Sequence, residues 1–134
     1  MGQIAFATVD FAWRLALVAV GSAFGGTLRY LLSVFLPPSG AFPWTTLAIN
    51  VAGSFLIGLV SGLVARCCGG SLAGEWIRSV AVVGFCGGFT TFSTFSNETF
   101  RLLEGGHGGA AAAYAGASVL AGLAAVFLGY LVSR

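Results

Sequence analysis

Apolar residues in this chain run in long blocks, and the polar breaks fall between the blocks. The first block runs from about Phe11 to Leu36 and contains Arg14 and Arg29. The second runs from Trp44 to Ala65 without a charge, and the third lies between Arg78 and Glu98. The fourth runs from Gly108 to Ser133. A transmembrane helix needs about 20 such residues, so the pattern predicts four spans. Their expected bounds are 11–36, 44–67, 76–101 and 108–133, within one transmembrane domain over 1–134. Turn-forming residues mark the connections: Pro37-Pro38-Ser39-Gly40, Cys68-Gly69-Gly70-Ser71, and 105–109 with His107 inside. None leaves room for a domain outside the membrane.

Composition agrees with a membrane solvent. Of 134 residues, 57% are hydrophobic and 7% charged, whereas soluble domains carry about 25% charged residues. All six basic residues are arginines. The net charge of +2, with no basic run, gives no reason to expect a nucleic-acid partner. Asp10 stands where a cleavable signal would carry positive charge, so none is expected. With four spans, Arg14, Arg66, Arg78 and Arg134 fall on one side and Arg29 and Arg101 on the other. That bias is weak, and such a chain could insert in either orientation.

Cys67, Cys68 and Cys86 form no CxxC pair and His107 is the lone histidine, so a zinc site within one chain is not expected. The acids are few and unclustered, and no nucleophile–base pair is evident. The chain reads as a non-enzyme with no catalytic residues. Glycine is abundant, and Gly21/Gly25, Gly58/Gly62 and Gly84/Gly88 are GxxxG pairs. Lipid gives helices no hydrophobic reason to associate, so close backbone approach at small residues has to supply the packing.

The third block carries the unusual chemistry. Thr90, Thr91, Ser93, Thr94 and Ser96 stand where a lipid-facing helix would have Leu or Val. Gly87-Gly88 before Thr90-Thr91 weakens the helix from within, so a broken span is expected. Irregular backbone survives at membrane depth only when buried in protein or lining a cavity. Half-helix N-termini there favour anions, and free carbonyls favour cations. Phe92 and Phe95, three apart, share a face. Their ring edges, which carry the positive end of the aromatic quadrupole, can attract a small anion weakly enough to release it. Plain packing is the competing reading. Asn50, the one amide of the second block, is either interhelical glue or a pathway group. Arg29 is either an interfacial anchor or part of a positive vestibule. Glu98 is expected to be paired or to sit at a helix end.

Three stretches together resemble one family. They are GSAFGGTLRY from Gly21 to Tyr30, PWTTLAINVAGSFLIG from Pro43 to Gly58, and VGFCGGFTTFSTFSNE from Val83 to Glu98. With a weaker match at Tyr114 to Ser118, they resemble the Fluc/CrcB fluoride channels from about Val20 onward. The resemblance implies an all-α integral membrane protein of the bacterial cytoplasmic (inner) membrane. It has four transmembrane helices, the third broken, and forms an antiparallel, dual-topology homodimer in the lipid bilayer. It implies passive fluoride export, which gives fluoride resistance, along two separate pathways. By match to the family motif, Phe92 and Phe95 are the ring pair at the ion and Asn50 lines the pore. Arg29 sits near a vestibule, Thr94 is a hydroxyl donor, and Tyr114 and Ser118 form the polar track of the fourth span. The main-chain carbonyls of Gly87 and Thr90 from both chains hold a structural Na+ at the dimer centre, and four neutral carbonyls suit a hard cation. Some relatives carry a second serine where Gly122 stands here, so the polar track is expected to be shorter.

Two other readings are weighed against this one. A small dual-topology drug or cation transporter needs a membrane-embedded acid, and the pattern places Asp10 before the first span and Glu98 at the end of the third. A non-transporting assembly subunit would explain the GxxxG pairs and leave the hydroxyl-rich third span without a purpose.

Overall fold

The computed structural model of the chain describes residues 2–37 and 40–134, with side chains from residue 9 onward. Pro38 and Ser39, within the expected break at 37–40, lie outside the described residues. Among the described residues four helices are long and apolar enough to cross a membrane, over Val9–Phe35, Trp44–Cys68, Leu72–Glu104 and Gly108–Val132. The expected spans fall inside these bounds to within a few residues, except at two places.

The first helix starts at Gly2 and runs to Phe35. At 1.5 Å per residue its 34 residues measure about 50 Å, against about 30 Å of hydrocarbon. Its N-terminal part therefore extends beyond the hydrocarbon, and Asp10 lies inside the helix instead of ahead of it. A polar clasp forms there. Arg14 Nε lies 2.8 Å from Asp10 Oδ2, and Arg14 Nη1 donates to Glu75 Oε2 at 3.0 Å. Trp76 Nε1 donates to Asp10 Oδ1 at 2.9 Å, and the Trp13 ring meets Trp76 edge-on at 6.3 Å between centroids. Aromatic rings with one polar atom favour this boundary. The clasp ties the start of the first helix to the start of the third span.

The third span is the other departure. It continues past Glu98 to Glu104, with Arg101 in its last turn, where a cation complements the negative end of the helix. Glu98 thus lies well within the span and is half-buried. Upstream, Leu72–Ile77 is α-helical, with Ser71 capping its start by accepting from the Gly74 N–H at 3.1 Å. Arg78–Cys86 then winds as a π-helix, and Gly87–Phe89 returns to α. At Thr90 and Thr91 the backbone becomes extended, with φ −81°, ψ 158° and φ −149°, ψ 115°. A second half-helix follows from Phe92 to Glu104. The predicted break is present, two residues beyond the glycines.

The GxxxG pairs explain how the helices meet. A Cβ on Gly21 would run into the Val80 carbonyl, and one on Gly25 into the Phe85 carbonyl. From the facing side, a Cβ on Gly84 would lie 2.9 Å from the Val18 carbonyl oxygen, and one on Gly88 would lie 2.6 Å from that of Ser22. These four glycines join the first helix to the third span. On the other side of the bundle, a Cβ on Gly58 would overlap the Val126 carbonyl. One on Gly129 would overlap the Phe55 carbonyl, and one on Gly62 the Ser133 hydroxyl. The second and fourth helices are joined there. Close backbone contact stands in for the large side chains that fill a soluble core.

Gly58→Val tests this packing. Forcing a branched side chain into backbone that cannot retreat is expected to destabilise the bundle by about 1–3 kcal/mol or more. Thermal melting in detergent should show the loss, whereas the same change at Gly116, which has open space around it, should cost far less.

Candidate functional site

The site is built around the break in the third span. In a continuous helix each N–H would bond four residues back. The Thr91 N–H would go to the Gly87 carbonyl, that of Phe92 to Gly88, and that of Thr94 to Thr90. Instead the Thr91 N–H donates to Asn50 Oδ1 at 2.8 Å, while Asn50 Nδ2 donates to the Thr91 carbonyl at 3.2 Å. The second helix thus reads both polar groups of one residue of the break with a single amide. The Thr94 N–H donates to Thr91 Oγ1 at 3.2 Å, and Thr91 becomes the N-cap of the second half-helix. The Gly88 carbonyl accepts from Arg29 Nε at 3.2 Å. The Gly87 and Thr90 carbonyls are left without the donors a helix would give them.

These bonds bear on Asn50 and Arg29, each of which the sequence left with two readings. Asn50 is interhelical glue first, since both ends of its amide are engaged. One Nδ2 hydrogen remains, and Asn50 also lines the neighbouring cavity. Arg29 is half-buried and bonded to the break; it is not a free anchor at the water end of its helix. A carbonyl stripped of its helical donor at membrane depth supplies the reason for the arginine to turn inward.

Beside the break lies a cavity of about 250 Å³, lined by Asn50, Ser54, Ile57, Thr90, Thr91, Phe92, Phe95, Ser118 and Val119. It brings together four of the residues expected on the ion pathway: Asn50, Phe92, Phe95 and Ser118. The two rings stand 5.6 Å apart at 43°, tilted so that they do not stack. Phe95 is half-buried, and Phe92 projects outward at 80% exposed. The Ser118 hydroxyl is buried with no hydrogen-bond partner among the described residues. A buried donor left open is uncommon and calls for a ligand or water. Gly122 lies one turn further on, where its Cβ would meet Ser54 Oγ at 3.5 Å. Ser54 therefore brings a hydroxyl to the wall near the point where some relatives carry a second serine.

Thr94, Tyr114 and Arg29 are not brought to the cavity wall. Thr94 Oγ1 accepts from Thr91 Oγ1 at 3.0 Å, within the cap of the half-helix. Tyr114 is fully buried, packed against Leu102 and Ala111 with Phe95 and Phe42 around it. Its hydroxyl donates to Glu98 Oε2 at 2.7 Å, and Thr46 Oγ1 donates to Glu98 Oε1 at 2.8 Å. Glu98 is paired as expected, but with two hydroxyls and in mid-helix. Sequence reasoning missed this Glu98–Tyr114–Thr46 cluster, and it missed Ser54 and Thr91 as wall residues. Thr46 and Ser54 sit four residues either side of Asn50, so the helical spacing could have found them on one face.

The Gly87 and Thr90 carbonyls can be tested as a cation site. Both have lost their helical donors, both are neutral hard oxygens, and Gly87 is exposed on the outside of this chain. The donor set fits a hard monovalent cation such as Na+.

The profile of the CrcB-like family, described as "CrcB-like protein, Camphor Resistance (CrcB)", matches residues 16–130. A protein named fluoride-specific ion channel FluC from Novosphingobium aromaticivorans is 46% identical over 123 residues, covering 89% of this chain and 94% of the relative. One of the same name from Thermus thermophilus is 49% identical over 119 residues, covering 87% and 91%. A third, from Agrobacterium fabrum, is 47% identical over 123 residues, covering 90% and 96%.

Asn50→Ala would strip both partners from the Thr91 backbone. Each group left unsatisfied costs roughly 1–3 kcal/mol, so the variant should melt well below wild type in detergent. Phe92→Ile, which removes an exposed ring, should melt with wild type. The reverse order of the two melting temperatures would show that the amide does not hold the break.

Proposed function

The chain belongs to the CrcB-like family, and on that premise we propose that it is a fluoride-selective ion channel exporting fluoride passively across the bacterial cytoplasmic membrane. The observation that carries the reading is the cavity beside the break, whose wall sets two tilted phenylalanine rings beside Asn50 and Ser118. Fluoride is small and strongly hydrated, so a path for it has to replace water donors without trapping the ion. Ring edges attract weakly. The Ser118 hydroxyl and the remaining Asn50 Nδ2 hydrogen supply stronger donors at the wall. No carboxylate lines that cavity. Phe92 and Phe95 are the pair at the ion, with Asn50 and Ser118 as its polar partners. Thr94, Tyr114 and Arg29 act one layer back, through the half-helix cap, Glu98 and the Gly88 carbonyl.

Fluoride that enters a cell as neutral HF dissociates inside and is trapped as the anion. An inside-negative potential then drives it out by about 2.3 kcal/mol per charge per 100 mV. A passive pore suffices, and resistance to fluoride follows from the export.

The working unit is a homodimer, and its two copies insert in opposite orientations. One chain leaves Phe92, Phe24, Phe100 and Leu120 broadly exposed, and its cavity is open on one side. A second copy closes it. The Gly87 and Thr90 carbonyls of both chains would hold one Na+, whose positive charge would offset the partial negative charge of four carbonyl oxygens brought together.

The transporter reading gains one observation, because Glu98 lies within the third span. Its two oxygens are taken by Tyr114 and Thr46 hydroxyls, which favours a structural carboxylate over a proton carrier.

Efflux from liposomes holding the purified protein, read by fluoride and chloride electrodes with valinomycin present, tests the channel. Fast fluoride release with chloride retained is expected without any imposed pH gradient. Flux that requires a pH gradient would favour the transporter. Phe92→Ile and Phe95→Ile should each cut fluoride efflux by about tenfold or more while the protein stays folded, and wild-type flux in both would end the ring assignment.

A further inference from the structure

At one end of the bundle the second and fourth helices finish side by side around a pocket of about 290 Å³, lined by Gly62, Ala65, Arg66, Tyr130 and Arg134. Arg134 stands over the Tyr130 ring, its Cζ 5.4 Å from the centroid, which holds its guanidinium at the mouth. No acidic side chain lines the pocket. Among the described residues neither guanidinium donates to a carbonyl or pairs with a carboxylate, since both ion pairs belong to Arg14. These arginines are therefore not capping the helix ends they occupy.

The charge balance of this end is uneven. Four of the six arginines lie here, Arg14, Arg66, Arg78 and Arg134, with two acids, Asp10 and Glu75. Arg14 engages both of those acids. In the rest of the chain Arg29 and Arg101 are matched in number by Glu98 and Glu104. The whole formal net charge of +2 thus sits at the end that carries the pocket.

We propose that the Arg66–Arg134 pocket binds the headgroup phosphate of an anionic phospholipid. Two planar guanidiniums free of other partners match a phosphodiester, which accepts paired hydrogen bonds. Ala65 leaves space beneath them, and Tyr130 offers an apolar wall on which an acyl chain can lie. Basic pockets between transmembrane helices at the membrane surface suit such headgroups. The proposal is independent of what the chain conducts. In a dual-topology dimer the pocket would face both leaflets, one per copy.

The test is native mass spectrometry of the detergent-purified protein titrated with dioleoylphosphatidylglycerol or dioleoylphosphatidylcholine. A parallel titration uses inorganic phosphate. Wild type should retain the glycerol lipid selectively, and Arg66→Gln and Arg134→Gln should each weaken retention about fivefold. Arg78→Gln, an exposed arginine at the same end outside the pocket, should leave it unchanged. Equal retention of the two lipids would overturn the proposal, as would full retention in both pocket variants. Displacement of the lipid by inorganic phosphate at low millimolar concentration would also overturn it, by making the pocket a simple anion site. Arg134 is exposed at the end of its helix, so Arg134→Gln carries the test if Arg66→Gln fails to purify folded.

Discussion

The bond on which the rest depends is the two-point contact between Asn50 and the backbone of Thr91. Inside hydrocarbon a peptide group has no water to turn to, and an unpaired N–H or carbonyl costs several kcal/mol. Breaking a helix there is possible only if another element supplies the missing partners. Asn50 does so from the second helix, Arg29 from the first at Gly88, and Thr91 caps the half-helix itself. Once those groups are satisfied, Gly87 and Thr90 can keep free carbonyls, and Phe92 and Phe95 begin a new half-helix at mid-bilayer depth. The cavity, the two free carbonyls and the ring pair all follow from one interruption.

The glycine contacts make that arrangement reachable. Asn50 meets Thr91 because the second helix comes close to the break, and Gly53, one turn on, has no Cβ to collide with the Thr90 methyl or the Phe89 ring. Arg29 reaches Gly88 because Gly25 and Gly26 leave the first helix against that stretch of the third. Small residues therefore serve twice in this chain. They supply the packing that lipid cannot drive, and they bring side-chain donors within hydrogen-bond distance of a backbone that needs them.

Much of this was legible in the sequence, for definite reasons. Four charge-poor blocks define four spans because a bilayer admits little else. Gly87-Gly88 with Thr90-Thr91 announced the break because those residues weaken a helix on their own account. The cavity wall was half legible: Phe92, Phe95, Asn50 and Ser118 carried visible chemistry, and Thr91 stood out in the hydroxyl run without a place at the wall, whereas Ser54 looked like an ordinary small polar residue. The partner of Glu98 was hidden, since nothing in spacing says that Thr46, fifty-two residues away, will face it. The π-helical turn at Arg78–Cys86 has no residue signature, because a wide turn is set by what packs around it. The bond from Arg29 to the Gly88 carbonyl was hidden for a related reason. Charge alone points an arginine to water, and only a stripped carbonyl nearby reverses that preference.

Glu98 shows how far charge and function separate in this fold. A carboxylate within a membrane span normally needs a cation, yet this half-buried one is held by two hydroxyls, from Tyr114 and Thr46. The Tyr114 ring also packs against Phe95 at 5.3 Å between centroids. The negative group is thereby fixed behind the ring that lines the cavity, with both oxygens turned to donors and away from the cavity wall. Bare in the cavity, it would repel an anion. Held in the second layer, it anchors Tyr114, which packs against Phe95. On the proposed reading, the tilt of that ring would set whether its edge or its negative face turns to an ion in the cavity. The carboxylate would then bear on the proposed path only through Tyr114, which is how an acid could sit beside an anion path without closing it.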